Sequence, residues 1–197
     1  MNSYPRLSRN SAITLALGFI AFAVAFRMVR ATAVPDLPNF SPLMAIALCG
    51  ALVLPGALAF GAPLLALIGT DIVLNLHYGA PLLGVDELIR YACFCVGIVS
   101  GIALRRSQAG TVATLGAAAA NSLLFYLVTN TACWLTSPDY AHSFAGWTQA
   151  LTVGQPGFPP TWTFLRNSFV SDLLFTGLFL AAVHLAARQP APAAARA

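Results

Sequence analysis

The sequence predicts an all-α integral membrane protein, a six-helix transmembrane bundle forming one domain. Three observations carry this. Of 197 residues, 58% are hydrophobic and only 8% charged, with a mean hydropathy of +0.78, whereas soluble domains carry about 25% charged residues. The apolar residues gather into six segments with polar or Pro/Gly-containing connections. Asp71, Asn130 and Asp172 also sit at one matching depth, each about six residues or fewer, about 9 Å, from the end of its segment. Such groups are costly in hydrocarbon and usually face a bundle interior or a wet cavity. A shared depth therefore predicts one polar layer and one site.

The segments run over 11–27, 42–54, 60–77, 86–104, 111–135 and 167–187. A spanning helix needs about 20 apolar residues, within about 17–25. The first segment lacks a convincing signal-peptidase site and is followed by further spans, so it reads as a retained helix. The second is short and stops at Pro55-Gly56, so it tilts, breaks or forms a tight hairpin with the third. Residues 1–187 are expected to form the transmembrane domain, and 188–197, QPAPAAARA and its preceding Arg188, a disordered cytoplasmic tail.

Orientation follows from arginine. There is no lysine, and the net charge is +4. With six spans, Arg6, Arg9, Arg105, Arg106 and Arg188 share one side, assigned to the cytoplasm together with both termini. Arg27, Arg30, Arg90 and Arg166 fall outside, where they call for acidic partners or a ligand. The arginines are dispersed and form no long basic run, which argues against nucleic-acid binding. The outer connections are the richer ones. Residues 28–41 hold Pro35 and Asp36, 77–85 read HYGAPLLGV, and 137–165 is long enough for a lid or binding loop. Trp134, Trp147 and Trp162 suit an interfacial aromatic belt.

Several side chains could carry chemistry. Asp71, Asn75 and Tyr78 lie on one helical stripe, which either lines a cavity or bonds neighbouring helices. Asp86 and Glu87 open the fourth segment, and Asp86 is spaced to pair with Arg90. Arg90 is otherwise a ligand for an anionic group, with Cys93 behind it. Tyr126, Asn130, Cys133 and Trp134 share a stripe on the fifth segment. Ser168 and Asp172 share a face on the sixth. Arg166 is off that face, so Asp172 should find another partner, with Arg27 or Arg30 as structural candidates. His77, at an outer boundary, could reach a metal or ligand. Cys93 and Cys95 point about 200° apart and cannot chelate one ion. No Ser-His-Asp set, HExxH or P-loop is present, which excludes self-powered transport by nucleotide hydrolysis.

The stretches PNFSPLMAIALCGAL, LIGTDIVL, TNTACWL and FLRNSFVSDLLFTGLF resemble a family of small bacterial membrane proteins similar to the substrate-binding (S) components of energy-coupling-factor vitamin transporters. Within that group the chain is most similar to BtuM-type solitary cobalamin transporters, from about Arg27 to Phe179. The resemblance implies an S-component-like six-helix bundle in the inner membrane, with an outer-side pocket capped by loops. It implies cobalamin or another corrinoid as substrate. It also implies a cobalt-ligating cysteine after the third helix, where this chain reads His77-Tyr78-Gly79-Ala80-Pro81. His77 could offer nitrogen instead, and the absent thiol puts accessory decyanation in doubt. Ala21 and Ala25 match the small-residue stripe that docks an energising module. In so alanine-rich a chain that match says little, and a solitary protein is favoured.

The expectation is thus a vitamin-uptake protein with no intrinsic cofactor. Asp71, Asn75, Tyr78, Arg90, Asn130, Trp134, Arg166 and Asp172 are its substrate-binding candidates, and His77 is its metal candidate. Amide-reading Asn and phosphate-reading Arg suit a corrinoid's amides and phosphodiester. The rivals are a transporter of another vitamin or precursor, an intramembrane enzyme using Cys93 or His77, and a structural subunit whose polar layer only binds helices together.

Overall fold

Helices form where the apolar segments run and stop where proline, glycine or a polar cluster interrupts them. The computed structural model describes residues 8–33 and 37–188, and these form seven helices and no strand. In order they are α1 (Arg9–Ala33), α2 (Leu43–Val53), α3 (Leu58–Tyr78), α4 (Val85–Arg106), α5 (Thr111–Thr136), α6 (Phe144–Leu151) and α7 (Trp162–Arg188). Arg6, Pro35, Asp36 and the tail beyond Arg188 lie outside the described residues. Five helices, α1, α3, α4, α5 and α7, are long and apolar enough to cross a membrane. Their apolar residues are largely on the outside, as at Leu17, Leu65, Val99 and Leu178. That is the surface expected where lipid, not water, surrounds the bundle.

The predicted span over 42–54 is the exception. It folds as the 11-residue α2, about 16 Å long against roughly 30 Å of hydrocarbon. Every residue of α2 is buried, and it touches all five long helices. It is therefore a half-length axis inside the bundle. Leu48, Leu52 and Leu54 are fully buried there, and Met44 and Ala47 pack with Phe94 and Ile98 of α4.

Two glycines on α4, one turn apart, allow this close approach. A β-carbon on Gly97 would lie 2.6 Å from Met44 Sδ. One on Gly101 would run into the Leu48 carbonyl and lie 2.8 Å from Ala51 Cβ. Small residues spaced this way let two helix backbones meet in a membrane. The far end of α2 is closed by Arg105, whose Nη1 donates to the Leu54 carbonyl at 2.6 Å. A cation at a helix C-terminus satisfies an orphan carbonyl and complements the helix dipole.

The other end of α2 is open. Its N-cap, Pro42, offers no side-chain acceptor, no acidic residue lies in the first turn, and among the described residues only the Ser41 Oγ reaches it, accepting from the Leu43 N–H at 3.3 Å. Residues 37–42 lead down to it. They are held by Arg30 Nη1 on the Leu37 carbonyl (3.3 Å) and Asn167 Nδ2 on the Pro38 carbonyl (2.9 Å). Phe40 packs between Phe26 and Phe175. Because α2 spans only half the bundle, the space above it is left to this segment and a cavity.

The connection expected to be a lid, 137–165, is instead fastened to α5. Ser143 Oγ accepts from the Gly146 N–H and caps α6. Trp147 Nε1 donates to Thr131 Oγ1 at 3.0 Å, Trp134 Nε1 donates to the Ala141 carbonyl at 2.9 Å, and the Tyr126 hydroxyl donates to the Leu151 carbonyl.

Gly101→Ala should destabilise the protein by about 1–3 kcal/mol through overpacking. Gly116→Ala on α5, where an added β-carbon meets nothing, should be neutral or stabilising by up to about 1 kcal/mol. Thermal unfolding in detergent compares the two.

Candidate functional site

Arg27 and Arg30 stand on one face of α1, three residues apart. The packing of α1 on α3 brings Arg27 to the polar turn at Thr70-Asp71. Arg27 Nη1 donates to Asp71 Oδ1 at 2.6 Å and to Thr70 Oγ1 at 2.5 Å. From α4, Arg90 Nη2 donates to Glu87 Oε1 at 2.9 Å, while its Nε lies 3.5 Å from Asp71 Oδ2. The latter contact is an ion pair without hydrogen-bond alignment, since both atoms lack a hydrogen-bond partner among the described residues. Asp71 is 2% exposed. A carboxylate buried so deeply is tolerable only with cations around it.

Arg27, Arg30 and Arg90 converge on a cavity of about 120 Å³ directly above the α2 N-terminus. Its other polar walls are Asn39, Ser41, Ser168 and Asp172, and its floor includes Leu43 and Met44. A second lobe of about 220 Å³ shares Asn39, Arg90 and Phe125 with the first and extends to Asp86, Thr129 and Cys133. Asp172 is 4% exposed. Ser122 Oγ donates to its Oδ2 at 2.6 Å, and no cation lies within 4 Å of it among the described residues.

These positions sort the sequence-predicted residues. Arg90 and Asp172 line the cavity. Asp71 does not; it stands behind the wall and holds two of the arginines that do. The expected Asp86–Arg90 pair is replaced by Glu87–Arg90, because Glu87 has the longer side chain and Asp86 turns to the second lobe. The Asp172 pairing considered for Arg27 or Arg30 does not form, since Arg27 is taken by Asp71 and Arg30 by a backbone carbonyl.

The remaining candidates lie off the cavity walls. Asn75 Nδ2 donates to the Pro81 carbonyl at 2.8 Å and secures the α3–α4 turn. Tyr78 and His77 are exposed at the end of α3, packed edge to face 4.9 Å apart. One turn beyond Asp71, the helix has already risen past the cavity. Asn130 Nδ2 is satisfied by the Tyr126 carbonyl of its own helix at 2.8 Å. Trp134 anchors the connection after α5. Arg166 lies over the Trp162 ring, 5.4 Å from its centroid, and donates to Asn167 Oδ1. Cys93 is buried, and Cys133 is the thiol that reaches the second lobe. Among the described residues no three His, Cys, Asp or Glu side chains cluster as a metal site.

Sequence reasoning missed Asn39 and Ser41 as wall residues, and it gave Arg27 and Arg30 acidic partners or a ligand without placing them among the substrate-binding candidates. The available signal was the shortness of the 42–54 segment. A half-length helix leaves a void above it, and the residues flanking its start must line that void.

Asp71→Asn would leave Arg27 and Arg90 without their buried carboxylate. It should cost about 3–5 kcal/mol in denaturant unfolding, whereas Arg27→Met with Asp71→Leu, which removes both charges, should cost less than Asp71→Asn alone.

No curated protein and no solved structure matches the chain. A family described as "Family of unknown function (DUF6580)" matches residues 7–194, nearly the whole sequence with its half-length axis and cationic cavity, and the chain belongs to that family.

Proposed function

We propose that this protein is a solute-uptake protein of the bacterial inner membrane. It captures a small anionic, vitamin-like molecule in a pocket open to the outer side and passes it inward. The observation that carries this is the convergence of three guanidiniums above the N-terminus of a buried half-length helix that has no acidic residue in its first turn. Helix N-termini favour anions through their free N–H groups and dipole. Interrupted helices in secondary transporters direct such ends at anionic substrate groups near mid-membrane. Without an anion, Arg27, Arg30 and Arg90 and the positive end of α2 repel one another. A carboxylate or phosphate relieves that repulsion and receives bidentate guanidinium bonds.

The orientation belongs to the same proposal. Arg9, Arg105 and Arg106 lie at the end of the bundle opposite the cavity, which the positive-inside rule assigns to the cytoplasm together with both termini. An S-component-like arrangement, with α2 counted beside the five long helices as the sixth, is part of the same proposal. The protein is proposed to work alone, without an energising module. Segment 37–42, rather than the α5–α7 connection, is the natural gate, since it covers the cavity and is held by few bonds.

Size discriminates among solutes. The two lobes, about 120 and 220 Å³, each fall below the range for ligand pockets, about 300–1,000 Å³, and only together reach its small end. A compact vitamin or precursor fits this closed form. Cobalamin fits only with segment 37–42 displaced and its phosphodiester on the arginines. His77, the cobalt-ligand candidate, would then have to approach from outside the cavity. Visible absorption of purified protein titrated with cobalamin tests that larger ligand, with a spectral shift expected only if the corrinoid enters.

Arg30→Gln separates binding from folding, because Arg30 makes one backbone bond and no ion pair among the described residues. Calorimetric titration with inorganic phosphate and short carboxylates should show about tenfold weaker binding in this variant, with the unfolding temperature nearly unchanged. Equal binding by both proteins would end the anion proposal.

A further inference from the structure

Resting on the anion-binding proposal above, we infer that the solute also carries a positive nitrogen: it is a compact zwitterion of the amino-acid kind. The cavity has walls of both signs. Asp172 faces it from α7, and Arg27, Arg30 and Arg90 face it from α1 and α4. Neither α2 nor α5 adds a charged side chain to these walls, and Asp71 of α3 is engaged behind them.

Two of these charges are left over. Asp71 engages Arg27 and Arg90, and Glu87 engages Arg90. Among the described residues, Arg30 meets only the Leu37 carbonyl, and Asp172 meets only the Ser122 hydroxyl. The two do not bridge to each other within 4 Å, although both line one small cavity. A buried carboxylate without a cationic partner is expensive. A purely anionic solute brings no such partner, and Asp172 would repel it whenever that carboxyl is ionised.

An ammonium group removes both problems. Seated at Asp172, it supplies the missing positive charge and donates to the carboxylate and to Ser168, whose hydroxyl spends its own proton on the Phe164 carbonyl. The carboxylate of the same molecule then lies toward Arg30 and the α2 N-terminus. The body of the solute extends past Phe125 into the second lobe, among Ile89, Thr129 and Ala132. Asp172 thus selects by repulsion as well as attraction, weakening the binding of simple anions relative to zwitterions.

The test compares matched ligands on the purified full-length protein. Common α-amino acids and ω-amino acids from β-alanine to 6-aminohexanoate are titrated against the carboxylic acids that lack only the amine. The best zwitterion should bind about tenfold tighter than its amine-free counterpart. Asp172→Asn should abolish that preference while keeping carboxylate binding, and Arg30→Gln should weaken both ligands. If Asp172→Asn fails to fold, the wild-type comparison decides alone. Equal or tighter binding of the amine-free acids would overturn the zwitterion and leave the anion proposal standing. No binding of either set at about 10 mM, beyond the weakest specific range, would overturn both.

Discussion

The fold depends on a helix that is too short. α2 occupies the centre of the bundle, touches every long helix and is buried along its whole length, yet it reaches across only about half of the hydrocarbon. Irregular backbone at membrane depth is tolerated only where protein encloses it or a cavity wets it. Residues 37–42 meet that condition, because Arg30, Asn167 and a cluster of phenylalanines enclose them. The glycines of α4 allow α2 to sit deep, and Arg105 closes its lower carbonyl end. The cavity is what remains above.

Electrostatics then sets what the cavity can do. The two ends of α2 are treated differently. The C-terminal end meets Arg105, which complements the helix dipole. The N-terminal end meets three more arginines of the wrong sign for that dipole. Asp71 and Glu87 offset part of this excess from behind the wall, and they fix the positions of Arg27 and Arg90 in doing so. The structural role of Asp71 and the proposed binding role of the arginines are two sides of one network. The balance leaves Arg30 and Asp172 facing the same void without partners of opposite charge among the described residues.

Much of this was legible in the sequence. Composition and segment length predicted a helical membrane bundle, and the break at Pro55-Gly56 marked 42–54 as abnormal. The shared depth of Asp71, Asn130 and Asp172 predicted one polar layer and one site; of the three, Asp172 lines the cavity, Asp71 stands behind its wall and Asn130 lies off it. The four arginines assigned to the outer half were expected to need acidic partners or a ligand, and Arg27 and Arg90 have acidic partners. Helical stripes were the weaker guide. Asn75 and Tyr78 share a face with Asp71, but each turn rises about 5.4 Å, which carries them out of the cavity. Asn130 is absorbed by its own helix backbone. The wall residues Asn39 and Ser41 have no periodic signature at all, because a descending segment between helices has none.

The cavity above α2 is proposed to hold a small solute that bears an anionic group. Native mass spectrometry of protein extracted gently from its own membrane tests this most directly. The account predicts a low-mass adduct on the wild-type protein that is lost in the folded Arg30→Gln variant. An adduct retained unchanged in that variant, or a wild-type protein that never carries one while its substrate is abundant, would contradict it.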